Sequence, residues 1–271
     1  MNIHTLLSQT ERQRVSDGVV LPILSGCESS MRQLVLFLPQ LGDFDSLEYA
    51  WWLRRDAQRL ETQGIAIRAV GIGSLSSGQR FCSYTGFSTD CLFVDPSAQL
   101  HQKLDLYPGL SLKLPGLSAA MNAYLNLLFM CAGIGSPGTL AEVWRGYRGD
   151  AKAPQLIGDD EIIQAFPLPP LKGSTFRWAG GKGFQRPFEL ATLRLRNMGE
   201  VLSNWKTYVP NAAYLTQRGA TFLFNAQGDL IYEHRDRAIL GFAADMSNPL
   251  TFLSEVAAEL GTEHDEHNTQ S

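Results

Sequence analysis

One uninterrupted apolar stretch limits most severely how this chain can fold. Residues 32–40, RQLVLFLPQ, are apolar without alternation over the length of a single strand, which predicts a strand covered on both faces. An amphipathic pattern follows at once. In LGDFDSLEYAWWLRRDAQRLETQG, the residues Leu47, Ala50, Trp51, Leu53, Ala57 and Leu60 recur at helical spacing, and Gly64 supplies a stop. One helix ending at Gly64 is therefore expected.

A strand in IAIRAVGIG, a short helix around SSGQRFCSYTG and a strand in CLFVD come next. This order is a βαβ series, whose crossover connections favour a parallel sheet. SAQLHQKLDL reads as another short helix ended by Pro108, with Leu100 and Leu104 on one face. Near the end, ATFLFNAQGDLIYEH reads as two strands around a tight turn and NPLTFLSEVAAELG as a closing helix. The core is α/β.

The stretch between these parts is less ordinary. Leu114 to Ala141 carries no charge and contains the helical run LSAAMNAYLNLLFMCAG. A membrane span needs about 20 predominantly apolar residues, and this window is shorter and interrupted by Asn122 and Asn126. A buried or partly buried helix is expected instead. TLAEVWRGYRG gives a further helix, and after a Gly-rich loop Pro187 starts another, with Leu190, Leu193, Met198, Val201 and Trp205 on or near one side. Trp51 and Trp52 cannot both face one core from one helix. One of them is therefore exposed or covered by the inserted region, and Trp52 is placed with Leu117, Met121, Tyr124 and Leu128 on a candidate partner surface.

Composition removes several functions. Hydrophobic residues at 44% and charged residues at 18% suit a chain with a packed core. A net charge of −4 and a pI near 5.7 argue against nucleic acid, which calls for a basic surface. The charged start MNIHTLLSQTERQRVSDG lacks the apolar run of an export signal, so a cytoplasmic location is expected. Cys27, Cys82, Cys91 and Cys131 show no Cys-x-x-Cys spacing, and the histidines form no ligand cluster with them. No metal or cofactor is expected. The polar end GTEHDEHNTQS, with His264 and His267, reads as frayed.

Two further constellations carry charge. Lys172, Arg177, Lys182 and Arg186 surround AGGKG and make a candidate anion loop before the Pro187 helix, although no Ser or Thr follows the lysine as in a phosphate loop. A mobile basic surface loop explains them with less assumption. Asp43, Asp45 and Glu48 could hold a divalent cation, but helix capping accounts for the same residues more simply, and Asp45 with Glu48 has capping-box spacing.

The series LVLFLPQLGDFDSLEYAWWLRRD, GIAIRAVGIGS, YTGFSTDCLFVDPSAQLHQKLDL and RGATFLFNAQGDLIYEHRD resembles the peroxiredoxin-like AhpC/TSA proteins of the thioredoxin superfamily, including cyanobacterial and chloroplast relatives. The resemblance implies a thioredoxin-like α/β fold with a mixed central sheet flanked by helices and a large helical insertion. It implies one domain over residues 1–260, an insertion at about 108–215, and a disordered tail over 261–271. In that family a strand runs into a Gly-Cys-x-x-Cys turn whose first cysteine opens a helix. Matching through Gly42 puts Asp43 at the first thiol position and Ser46 at the second, so the helix corner is Gly42, Asp43, Asp45, Ser46 and Glu48. A helix N-terminus favours a thiolate, but a carboxylate there is a poor nucleophile toward peroxide or disulfide. The proline expected just before the late strand is also missing, since Gly219 and Ala220 stand there.

Two functions remain open on this reading. One is a binding, assembly or regulatory protein with a protein partner, which the photosynthetic relatives would place at a thylakoid membrane complex, with the chain peripheral to that membrane. The other is a thiol-dependent peroxidase that uses a non-standard cysteine such as Cys82 or Cys91, which flank SYTGFSTD within reach of a disulfide.

Overall fold

The computed structural model describes residues 2–27, 31–181 and 183–254. The chain opens with α1 (Ile3–Gln9), β1 (Glu11–Arg14) and β2 (Val20–Pro22), then enters β3 (Arg32–Gln40). After β3 come α2 (Phe44–Arg55), α3 (Ala57–Thr62), β4 (Ile65–Ile72), α4 (Leu75–Thr85), β5 (Leu92–Val94) and α5 (Gln99–Lys103). The single helix expected up to Gly64 is thus two, because the backbone leaves helical geometry at Asp56.

Between α5 and the last hairpin lie α6 (Ala119–Cys131), α7 (Thr139–Arg148), β6 (Asp150–Pro154), β7 (Ile162–Ile163), β8 (Leu171–Lys172), β9 (Phe184–Gln185), α8 (Glu189–Ser203) and α9 (Trp205–Tyr208). Strand β6 pairs with β9, and β7 with β8, each antiparallel. The hairpin β10 (Ala220–Phe224) and β11 (Leu230–Arg235) then returns to the centre.

A seven-stranded sheet organises the molecule in the order β11-β10-β3-β4-β5-β1-β2. Strands β3, β4 and β5 are parallel neighbours, while β10 runs antiparallel to β3 and β1 antiparallel to β5. The sheet is mixed and thioredoxin-like. The interior position of β3 explains the apolar run: Leu34, Leu36 and Leu38 point into one core with Leu47 and Trp52, and Val35 and Phe37 into the other with Leu7 and Leu100. Period-two alternation sends successive side chains to opposite faces, and here both faces are covered. The N-terminal strands extend the sheet beyond β5, a role the short, polar sequence before Arg32 does not announce.

Trp52 is a correction. Helix α2 is buried continuously from Asp45 to Leu53, with Trp51 at 7% exposure and Trp52 at 2%. Helices α4 and α8 both contact α2, so a helix with a sheet on one side has further protein around it. Two adjacent tryptophans can then both be inside, and they meet edge to face at 5.7 Å. The second half of the expected closing helix, from residue 255, and all of the tail from Gly261 lie outside the described residues.

Candidate functional site

The corner between β3 and α2 starts with a steric demand. A Cβ on Gly42 would stand 2.6 Å from Cβ of Tyr208, so the chain turns there only with glycine. Asp43 then caps α2, its carboxylate accepting from the Asp45 amide at 3.0 Å, which meets one of the unpaired donors of a helix start. Ser46 is fully buried, and its hydroxyl donates to the Gln40 carbonyl at 2.9 Å.

The charge at this corner is answered from far along the chain. Arg218, just before β10 and fully buried, reaches Asp43 at 2.6 Å and Asp45 at 3.2 Å, and also donates to the Thr216 carbonyl. Burial alone would disfavour its charge, but Asp43 and Asp45 more than offset that and hold the guanidinium pKa above its ordinary value. Asp45 also accepts from the Leu240 amide at 2.5 Å. Desolvation, followed by the nearby Asp43 charge, pushes its pKa well up. A third carboxyl, Asp236, accepts from the Gly219 amide at 3.2 Å, and burial raises its pKa to about 8.

Glu48 does not complete a capping box with Asp45. It is fully buried and faces Arg194 of α8 at 2.7 Å, and Arg194 reaches on to Glu142 of α7 at 2.6 Å. Among the helices described, a reciprocal box forms at the start of α4, between Ser74 and Ser77. Asp45 and Glu48 are spent on tertiary ion pairs, which sequence spacing cannot reveal. Among the described residues no group of His, Cys, Asp or Glu is arranged to hold a metal ion.

All four cysteines are free. Burial pushes the Cys82 thiol up to about 12 and raises Cys27 as well, the opposite of an activated nucleophile. Cys131, on α6, is the cysteine the fold brings toward the corner, close enough for Asp43, Asp45 and Arg218 to act on its charge. Burial, then Asp43, raises its pKa also. Its position in an apolar helix gave no hint of that neighbourhood.

The candidate anion loop is not free to bind anions as a set. Arg186 is fully buried, donating to Glu189 at 2.9 Å and Asp159 at 2.8 Å; Arg177 also pairs with Asp159, and exposed Lys172 with Asp160 at 2.9 Å. Acidic residues from the loop at 159–160, remote in sequence, neutralise it. Arg186 is a fixed core residue and no part of a mobile surface loop. Lys182 lies outside the described residues.

The four remaining surface candidates are exposed. Leu117, Met121, Tyr124 and Leu128 range up to 61% accessible, at Leu128. On the other side of α6, Asn126 pairs with both backbone groups of Leu112, and Asn122 accepts from the Leu114 amide at 2.8 Å. The asparagines face the protein together with buried Met130 and partly buried Leu127, while Met121 and Leu128 face outward. Leu140, Trp144 and Tyr147 of α7 extend the exposed apolar surface; the charges around them concealed these three in the sequence.

Residues 52–238 match the family model described as AhpC/TSA antioxidant enzyme. The chain belongs to the AhpC/TSA family. The match begins at Trp52, so the corner from Gly42 to Glu48 lies before the matched part of this family member, while Arg218 and Asp236 lie within it. Comparison with the curated proteins gives no match. No helix of this AhpC/TSA protein, among the described residues, is long and apolar enough to cross a membrane.

Proposed function

We propose that this AhpC/TSA protein works by binding a protein partner rather than by thiol chemistry, with Asp43 and Ser46 standing at the two former thiol positions. The observation that carries the reading is the pairing of Asp43 with buried Arg218 at 2.6 Å: the helix start that would activate a thiol is filled by a neutralised carboxylate. A carboxylate so held is no nucleophile for peroxide. The uncharged outer face of α6, with Leu117, Met121, Tyr124 and Leu128, is the partner surface, since contiguous exposed apolar area marks interaction sites. On this reading the partner belongs to a complex at the thylakoid surface, the chain acting in assembly or regulation, and what supports it is the sequence resemblance to photosynthetic relatives.

The test is a peroxide-reduction assay with excess thiol donor on the parent and on a variant with all four cysteines changed to Ser. Equal, background rates are expected. Turnover in the parent that disappears in the variant would establish the thiol peroxidase instead. In the cysteine-free variant, Asp43→Cys places a thiol against Arg218 at a helix N-terminus, and its pKa, read from alkylation rate against pH, should fall below the ordinary value of about 8.5. An ordinary or raised value would show that Asp43 does not occupy a thiol position. Charged substitutions at Met121 and Leu128 should abolish capture of the partner and co-sedimentation with thylakoid membranes.

A further inference from the structure

One face of α7 borders an open basic groove. Ala141, Trp144, Arg145 and Arg148 follow one another at helical spacing, which aligns them on that face. Three connected cavities run along it. The first, about 500 Å³, lies between the start of α7 and the segment after β11, with His234, Arg235 and Arg237 in its walls. Ala141 and Arg145 carry it into a second of about 460 Å³, and Arg148 and Gly149 carry that into a third of about 490 Å³, which reaches Phe184. Arg237 thus stands at one end, and Arg148 beyond Trp144 from it.

The chain as a whole is acidic, at −4, yet the described lining residues of this groove include four arginines against two carboxylates, Glu142 and Asp150. Both carboxylates are spent on partly buried Arg145, at 2.7 and 3.4 Å, and Arg235 is spent on Glu233. Arg148 and Arg237 are exposed and, among the described residues, have neither ion pair nor hydrogen bond; Arg237 rests over the Tyr107 ring at 5.9 Å. Trp144, 62% exposed, stands between these two free cations.

Two unanswered cations flanking an exposed aromatic ring match carboxylates flanking apolar side chains. From Gly138 to Arg148 the helix rises about 15 Å, which an extended peptide covers in about five residues. A flat bilayer does not reach partly buried His234 and Arg145, and a continuous polyanion would meet Glu142 and Asp150 on its way.

We infer that this groove binds an extended acidic segment of the protein partner, two carboxylate side chains about five residues apart pairing with Arg237 and Arg148 while the apolar residues between them cover Trp144. The inference rests on the reading of the chain as a partner-binding protein and deepens it, because Trp144 belongs both to the groove and to the apolar surface that continues α6.

The test titrates the isotope-labelled full chain with the hexapeptide Glu-Val-Ser-Thr-Val-Glu, blocked at both ends, and with its Gln-ended counterpart. Indole N–H signals are read, that of Trp144 being assigned by Trp144→Phe. The acidic peptide should shift Trp144 saturably and leave Trp205, which stacks on Tyr124 of α6, in place. The Gln-ended peptide should bind at least about fivefold more weakly, and Arg148→Gln or Arg237→Gln, each at an exposed position, should weaken the acidic one about two- to fivefold, the upper span of an exposed ion pair. No saturation at Trp144, a shift at Trp205 instead, equal binding of the Gln-ended peptide, or undiminished binding by both arginine variants would each overturn the inference. So would arginine-dependent sedimentation with phosphatidylglycerol vesicles in place of peptide binding. A roughly tenfold gain on removing residues 261–271 would overturn it too, by assigning the groove to the chain's own acidic end GTEHDEHNTQS. No partner enters these titrations, so their failure leaves the α6 surface standing, whereas partner capture that survives charged substitutions at Met121 and Leu128, with peptide binding intact, strikes the α6 reading alone.

Discussion

Helices α2 and α6 invert the usual relation between composition and place. Helix α2 carries Asp45, Ser46 and Glu48 and is buried from Asp45 to Leu53, whereas α6 has no charged residue and buries only Asn126 and Met130. In α2 the carboxylates are tolerable because Arg218 and Arg194 arrive from elements more than a hundred residues away. On the inward side of α6 two asparagines hold the chain at 112–114 beside buried Met130, which leaves Met121 and Leu128 outside. Partners decide burial as much as hydrophobicity does.

The largest test of this contrast is Arg218→Leu. It leaves Asp43 and Asp45 buried without their cation, and should lower unfolding free energy by about 3–5 kcal/mol, read as a fall in urea midpoint. A loss below about 1 kcal/mol, the size typical of an exposed pair, would mean that charge pairing does not hold α2 in place. Asn126→Leu comes next. It strips both backbone groups of Leu112 of their side-chain partner, and about 1–3 kcal/mol should go with them; no loss would mean that the inward face of α6 is not polar by need.

Asp236 sharpens the picture of α2 through pH. Burial raises its pKa from the ordinary 3.8 to about 8, so between those values the folded chain keeps a proton that the unfolded chain releases. The stabilising contribution is complete below about 4 and lost as pH rises through about 8. Asp236→Asn should flatten that decline in denaturation curves taken across the interval, and an unchanged slope would place the titration elsewhere. The smallest effect on stability belongs to Leu128→Glu, within about 0.5 kcal/mol because the side chain is exposed. A loss above about 2 kcal/mol, as for a core leucine, would erase the contrast between the helices.

Much of the frame was legible in the residues. The unbroken run at Arg32–Gln40 signalled a strand covered on both sides, and the periodicity before Gly64 signalled helix. The site was legible only in its near half. Asp43 as a cap follows from local chemistry, but its partner Arg218 sits in QRGATFLF, 175 residues further on, where no local pattern ties the arginine to the helix start. Trp52 misled because the rule that adjacent residues face apart assumes one core, and α2 has protein around it. The short strands β1, β2 and β6 to β9 carry too few residues for any period to show.

The two rims of the central sheet carry a consequence for self-association. On one side the last strand is three residues long and ends in Pro22; on the other, Glu233, His234 and Arg235 follow one another and the ladder is interrupted between Leu223 and Phe224. Short length, proline, charge and an irregular register are the features that deter strand-to-strand annealing. Copies of this molecule therefore have no ready route to fusing their sheets, and any homotypic assembly must be built through side-chain faces.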